Sequence, residues 1–291
     1  MRLLAVCLLL LRLFGLHEAT DGAAGHACVR AAREHGAVGV YRDPRRRQAH
    51  DSVVFMTLGN SGYRELLENW MCHMDRAGFV YLVVALDRGL VDALARSHPH
   101  AAVCLLRREQ EEDLAAMTEF NAAGFGRLSA MKFVAVRALL AAGYSVLFAD
   151  ADVRFRHDPF PEVLASPCAY TYQSDGDEVA GPDTEGNTGF FYARATPAVA
   201  HMHALALAEC DAHPELDDQT NFWNAMRAHR PLPFRNATGG YCALDHRRFL
   251  CGWAFYGQAH LLPDAVIVHP NYAIGCDVKR ERLQTAGLWA C

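Results

Sequence analysis

From Asp51 onward the chain alternates short, unbroken apolar runs with stretches of helical period, and that alternation leaves few folds open. The runs are "SVVFMTL" (52–58), "FVYLVVAL" (79–86), "AAVCLL" (101–106) and "YSVLF" (144–148). Helical patterns separate them over 63–76, near 91–96 and over 128–142. A strand with one wet face alternates apolar with polar residues, whereas an unbroken apolar run needs cover on both faces. Strands of that kind joined by helices predict an α/β fold, a mostly parallel central sheet flanked by helices. No repeat or linker interrupts 51–291, so one catalytic-sized domain is expected there. With 291 residues, 52% of them hydrophobic and 21% charged, the chain can bury a core without a metal or disulfide to complete it. A net charge of −5 gives no electrostatic footprint for nucleic acid, so no nucleic-acid partner is expected.

In an open sheet of this class, ligands gather beyond the C-terminal ends of the strands. The run at 144–148 ends on Ala149-Asp150-Ala151-Asp152. Carboxylates at such a place need a counter-charge, a hydrogen-bond donor or a metal. If the extended backbone continued, the two would point to one side about 6.6 Å apart, at roughly 3.3 Å per residue. That spacing suits a divalent cation bound directly or through water, and Mg²⁺ and Mn²⁺ favour carboxylate, water and phosphate oxygens. Solvated turn aspartates are the other reading of the same pattern.

The ends of the chain point to the secretory pathway. Arg2, the apolar stretch Leu3–Leu16 and the small residues Gly22-Ala23-Ala24 read as a signal peptide over 1–24, with a short signal anchor as the alternative. The stretch falls short of the ~20 residues that span a bilayer, so membrane association would run through this N-terminus alone. Residues 25–50, with Arg45-Arg46-Arg47, read as a stem or linker. Loss of Cys7 with the leader leaves nine cysteines, so at least one lies outside any intramolecular disulfide. Cys242 with Cys251 and Cys276 with Cys291 are near enough in sequence to pair, although spacing does not settle connectivity. No CxxC occurs, which argues against a zinc ribbon. Asn236-Ala237-Thr238 is a glycosylation sequon.

Four segments then run in order: "AGYSVLFADADVRFRHDPF" (142–160), "NTGFFYARAT" (187–196), "DDQTNFW" (217–223) and "HPNYAIGCDVKRERLQTAGLW" (269–289). Together they resemble the nucleotide-diphospho-sugar transferase family, which includes plant and algal arabinosyl-, xylosyl- and galactosyltransferases. The resemblance implies a GT-A-like glycosyltransferase domain over 51–291, in which the Asp-x-Asp holds Mn²⁺ (or Mg²⁺) against the diphosphate of a nucleotide-sugar donor. It also implies a glycan or glycoprotein acceptor, a Golgi or other secretory location, and retention of the donor's anomeric configuration.

The candidate residues follow. Asp152 is expected to coordinate the metal directly, while Asp150 binds it through water or holds the ribose. His269 follows the apolar run "AVIVH"; neutral imidazole is a good third ligand, although a lone strand-end histidine is usually structural. The spacing His269-x5-Gly275-x3-Lys279 is similar to a metal-and-phosphate segment of related retaining enzymes. Gly275 would let backbone N–H groups approach phosphate and Lys279 would supply a cation. Asn187 can both donate to and accept from sugar hydroxyls, and Gly189 leaves room for the ring. Asp218 and Gln219 are the candidates near the anomeric centre, on a segment that also reads as a helix start. Thr57 at the end of the first strand, Lys132 on the helix before the Asp-x-Asp, and Asp175 complete the donor set. Trp253 and Trp289 read as core packing. The loop 176–186 reads as a polar segment that shapes acceptor entry. Two other readings remain. Asp150 can be the nucleophile of a haloacid-dehalogenase-type phosphatase with Asp152 as acid/base. Alternatively, the chain is a non-catalytic lumenal glycan-binding protein.

Overall fold

A computed structural model describes residues 25–42, 50–106, 124–175, 186–233 and 239–291. The four apolar runs are strands. They are β2 (His50–Gly59), β3 (Leu82–Ala85), β4 (Ala102–Leu105) and β5 (Ser145–Ala149). They pair in parallel in the order β4-β3-β2-β5. Helices α2 (Arg64–Ala77), α3 (Arg88–Ser97) and α4 (Phe125–Ala141) connect them. The sheet continues through β8 (Gly186–Ala193), antiparallel to β5, then β7 (Tyr170–Ser174) and β9 (Tyr241–Ala243). A second, small sheet joins β10 (Phe249–Leu250), β11 (Ile267–Val268) and β6 (Arg154–Phe155).

Period-two geometry explains the unbroken runs. Val53, Phe55, Leu147 and Ala149 face one core with Leu67, Trp70 and Leu90. Val54, Met56, Val146 and Phe148 face the other with Phe133, Val134 and Val136. That second core is closed by α6 (Pro197–Ala212) and α7 (Asp218–His229). Two short helices, α5 (Phe160–Ala165) and α8 (Gly252–Gly257), precede the last one, α9 (Cys276–Thr285).

Two expectations change. Residues 25–42, read as stem, form helix α1 (25–34) and strand β1 (Val38–Arg42), which pairs antiparallel with the first half of β2. Cys28 and Ala32 are buried in the core, and Cys28 is disulfide-bonded to Cys104 on β4. The stretch packs through a few small residues and a covalent tie, neither of which makes an apolar period. The sequence-neighbour pairings are replaced by long-range ones. Cys242 bonds Cys168, and Cys291 bonds Cys72 on α2, because the fold brings distant backbone together while Cys251 and Cys276 lie on other elements. Cys210, Cys251 and Cys276 lie outside the disulfides. The N-terminal leader, the arginine run, the sequon and positions 176–185 of the loop fall outside the described residues. Among the described residues no helix is long and apolar enough to cross a membrane.

Candidate active site

The apolar run of β5 ends at Ala149, and the backbone then turns. Asp150 still pairs with the sheet through its N–H to the Gly189 carbonyl (2.7 Å), but the Val153 N–H folds back onto the Asp150 carbonyl (2.9 Å). The buried guanidinium of Arg154 clamps this turn, donating from Nη1 to the carbonyls of Ala151 (2.8 Å) and Val153 (2.9 Å). The extended spacing considered from sequence therefore does not hold. The turn aims both carboxylates at His269, just beyond β11. His269 Nε2 lies 3.3 Å from Asp152 and 3.9 Å from Asp150. One ligand atom from each of these residues falls within 4.8 Å of the other two.

The far side of the imidazole is fixed by a residue that sequence reading passed over. Gln173, fully buried on β7, donates its amide to the Phe249 carbonyl (3.3 Å), which leaves Oε1 to accept from His269 Nδ1 (2.8 Å). Nδ1 thus carries a proton, and Nε2 is the ring atom turned to the aspartates, the one that would bind a cation shared with them. Gly189 completes the cradle: a Cβ there would overlap the Asp150 carboxylate and the His269 ring. Its lack of a side chain leaves room for the carboxylate and the imidazole. Two carboxylates and one neutral imidazole are a donor set that fits Mn²⁺ or Mg²⁺.

The flanks differ. Lys279 on α9 donates to Asp152 (2.6 Å). Burial alone would raise the Asp152 carboxyl, but Lys279 and His269 outweigh it and hold the group well below its ordinary value. On the other flank Lys132, buried in α4, reaches Asp218 (2.9 Å), Asp150 (3.6 Å) and the Thr188 carbonyl (3.3 Å). Burial pushes Asp150 up, and Lys132 only partly offsets it. Asp218 also accepts from the Thr188 hydroxyl (2.7 Å), while Asp217 caps α7 by accepting from the Thr220 N–H (2.9 Å). Asp175 accepts from three amides: Asn187 (3.2 Å), Gln219 (3.1 Å) and Asn271 (2.7 Å). Gln219 Oε1 in turn accepts from the Thr188 N–H (3.3 Å).

These groups line one cleft of about 540 Å³, inside the size range of small-molecule sites. Lys132, Asp150, Asp152, Asp175, Asn187, Gly189, Asp218, Gln219, His269, Gly275 and Lys279 all contribute to its wall. Gly275 has φ +90°, which a side chain would strain, and it turns the chain into α9. Thr57 does not line the cleft. The strand runs past it to Gly59, so Thr57 is buried within β2 and Leu58 and Gly59 face the cavity instead. Trp253 is 45% exposed and not core; Trp289 is partly buried against the core. Asn271, Tyr63 and Tyr272 also line the cleft without having been marked in the sequence. Asn271 and Tyr272 lie inside the segment 269–289 and were the ones within reach of a closer reading.

The chain is similar to known proteins. The model of a family described as nucleotide-diphospho-sugar transferase matches residues 80–283. A beta-arabinofuranosyltransferase, RAY1, from Arabidopsis thaliana is 26% identical over 268 residues, covering 81% of this chain and 47% of that protein. The UDP-D-xylose:L-fucose alpha-1,3-D-xylosyltransferase of the same plant is 24% identical, covering 83% of this chain and 70% of that one. The chain thus spans about half the length of the first of these relatives. Among solved structures, the apo-form glycosyltransferase GlyE of Streptococcus pneumoniae TIGR4 aligns with a TM-score of 0.48 at 12% identity, covering 79% of this chain and 59% of that one.

Proposed function

The chain belongs to the nucleotide-diphospho-sugar transferase family, and from that premise we propose that it transfers a sugar from a UDP-linked donor to a glycan or glycoprotein acceptor, with retention. The observation that carries this reading is the convergence of Asp150, Asp152 and His269 at the end of β5, inside the cleft. These three would hold Mn²⁺ or Mg²⁺, which as a Lewis acid stabilises charge on the departing diphosphate.

The chain's own residues divide the remaining work. Lys279, drawn from Asp152, neutralises phosphate oxygens. Gly275 allows the backbone before α9 to approach them. Gly59 and Tyr63 line the cleft on the β2 side, where the nucleoside would lie. Asp175, Asn187 and Gln219 orient the sugar from the opposite side, as a preformed network that loses little freedom on binding. Asp218 is committed to Lys132 and Thr188, so its part is to position that network. Among the described residues the carboxylates on that side, Asp175, Asp217 and Asp218, are all hydrogen-bonded or ion-paired, and retention would rest on positioning and charge stabilisation.

Three disulfides favour an oxidising compartment, which supports a secretory-pathway location such as the Golgi lumen. The phosphatase reading needs Asp152 to carry a transferable proton, and its ion pair with Lys279 (2.6 Å) disfavours one. The test is nucleotide release from a panel of nucleotide sugars with Mn²⁺ or EDTA. Release from one donor, abolished by EDTA, is expected; Mn²⁺-independent release of inorganic phosphate would sink the reading.

A further inference from the structure

Most of the cleft wall is polar or buried, but one edge is neither. Tyr272 and Ile274 line the cavity and are 62% and 56% exposed. Large apolar side chains left this open beside a polar cleft mark a surface that a ligand covers. Tyr272 is also held. Its hydroxyl donates to the Asp175 carbonyl (3.1 Å), and its backbone adopts φ +62°, a left-handed conformation that a bulky residue rarely takes. The neighbouring Asn271 ties the same segment to the Asp175 carboxylate and, through its side-chain oxygen, to the Gly252 N–H at the start of α8. Strain of this kind persists only where surrounding contacts enforce it, and it concentrates at ligand sites. The next residue on α8, Trp253, is a second exposed aromatic within one residue of that contact.

We propose that Tyr272 is the stacking platform of the acceptor subsite, and that the acceptor presents the apolar C–H face of a sugar ring to it. This rests on the transferase reading above. The ligand class follows from the chemistry. A saccharide ring needs an aromatic face on one side and hydroxyl partners beside it, and Tyr272 follows Asn271 at the outer edge of the Asp175 network that would hold the donor sugar, where the two sugars would meet. Its exposure sets it at the rim, apart from the buried Asp152 and His269 beside which the diphosphate would lie. Cys276 contacts the Gly62 carbonyl and Lys279 binds Asp152, which puts the phosphate and nucleoside region on the β2 side. Tyr272 is tied instead to the Asp175 carbonyl just after β7, at the exposed rim where an acceptor would meet the donor sugar.

The experiment is saturation-transfer NMR on the full chain with UDP, Mn²⁺ and methyl glycosides of arabinose, xylose, fucose and galactose. Tyr272→Ala removes the ring, Tyr272→Asn removes it with a residue suited to the left-handed backbone, and Tyr272→Phe keeps the ring. Saturation of ring C–H protons in at least one glycoside is expected, at least fivefold weaker in the Ala and Asn variants and within twofold of wild type in Phe. UDP–Mn²⁺ affinity should stay within twofold in all three. Equal glycoside contact in Ala and Asn overturns the proposal, as does contact with no glycoside in the panel. A parallel loss of UDP affinity overturns it too, because Tyr272 would then stack on the nucleotide. If UDP–Mn²⁺ fails to bind while glycoside contact still depends on Tyr272, the platform stands and the donor reading falls.

Discussion

Lys279 and Lys132 each hold one of the two carboxylates of the site, yet they do so in opposite ways. Lys132 sits in mid-α4 with its side chain 5% exposed, and its ammonium is shared among Asp218, Asp150 and the Thr188 carbonyl, above the Phe148 ring (4.9 Å). Lys279 is 22% exposed, follows the Gly275 turn, and forms one ion pair, with Asp152. A buried ammonium is tolerated only when its donors are satisfied, so Lys132 is committed to the protein. Lys279 can move its charge from a carboxylate to an arriving phosphate. Under the proposed function the same residue type would thus serve architecture on one flank and ligand exchange on the other.

The contrast is broken most completely at the carboxylates themselves. Asp152→Asn removes a proposed metal ligand and the partner of Lys279 together. Turnover is expected to fall about a thousandfold, or roughly 4 kcal/mol of barrier. Unchanged circular dichroism would separate this loss from unfolding, and turnover within tenfold of wild type would refute the metal assignment.

Next in size is Lys132→Met, which leaves Asp218 buried without its counter-charge and is expected to cost about 3 kcal/mol of stability. The pH dependence carries a sign. In the wild type burial would raise Asp218, but Lys132 and Thr188 hold it below its ordinary value. Its contribution is therefore present above the unfolded pKa and lost only as pH falls through the folded one. Without Lys132, burial prevails and the folded pKa rises above the unfolded one. The variant should then recover stability on acidification. Denaturant midpoints near pH 8 and pH 5 check this: the gap between wild type and variant should narrow at the lower pH, and a constant gap would place Lys132 outside the ion pair.

Gln173→Leu tests the device shared by both flanks, the imidazole. With the Nδ1 acceptor gone, His269 loses its fixed tautomer and ring orientation. Mn²⁺ affinity is expected to fall ten- to a hundredfold, on the order seen for residues that orient metal ligands. Titration followed by the electron paramagnetic resonance signal of free Mn²⁺ reads it directly, and Gln173→Glu, which keeps an acceptor, should retain most of the affinity.

How much of this was legible in the sequence follows from the same physics. Strands β3 and β5 and the centre of β2 are buried on both faces, and β4 is half-covered on its second face, so each is a continuous apolar run, and that pattern stands out in one dimension. The aspartates ending β5 were visible for the same reason. Residues 25–42 were not, because Cys28 anchors them through a bond across 76 positions and the rest is small residues and one edge strand. Gln173 lies between Tyr172 and Ser174 with nothing to mark it until β11 brings His269 beside it. Thr57 was placed at a strand end because the apolar run stops at Leu58, whereas the ladder continues to Gly59, which pairs with Ala85. A run of side chains reports burial; it does not report where backbone hydrogen bonding ends.

The smallest effect sharpens the contrast furthest. Lys279→Met removes an ammonium that is 22% exposed but leaves Asp152 buried, so the fold should lose about 2 kcal/mol, between the cost of an exposed pair and that of a fully buried one. The ligand should notice as well. A cation presented to a diphosphate forms a charge-assisted bond, and UDP–Mn²⁺ affinity is expected to fall about tenfold. The loss should shrink as salt rises, because a surface-accessible charge is screened. Calorimetric titration of UDP–Mn²⁺ at low and high salt, beside a denaturation curve, gives both numbers from one preparation. Nucleotide affinity unchanged with stability lost would make Lys279 a second Lys132, and the two flanks would then differ in exposure alone.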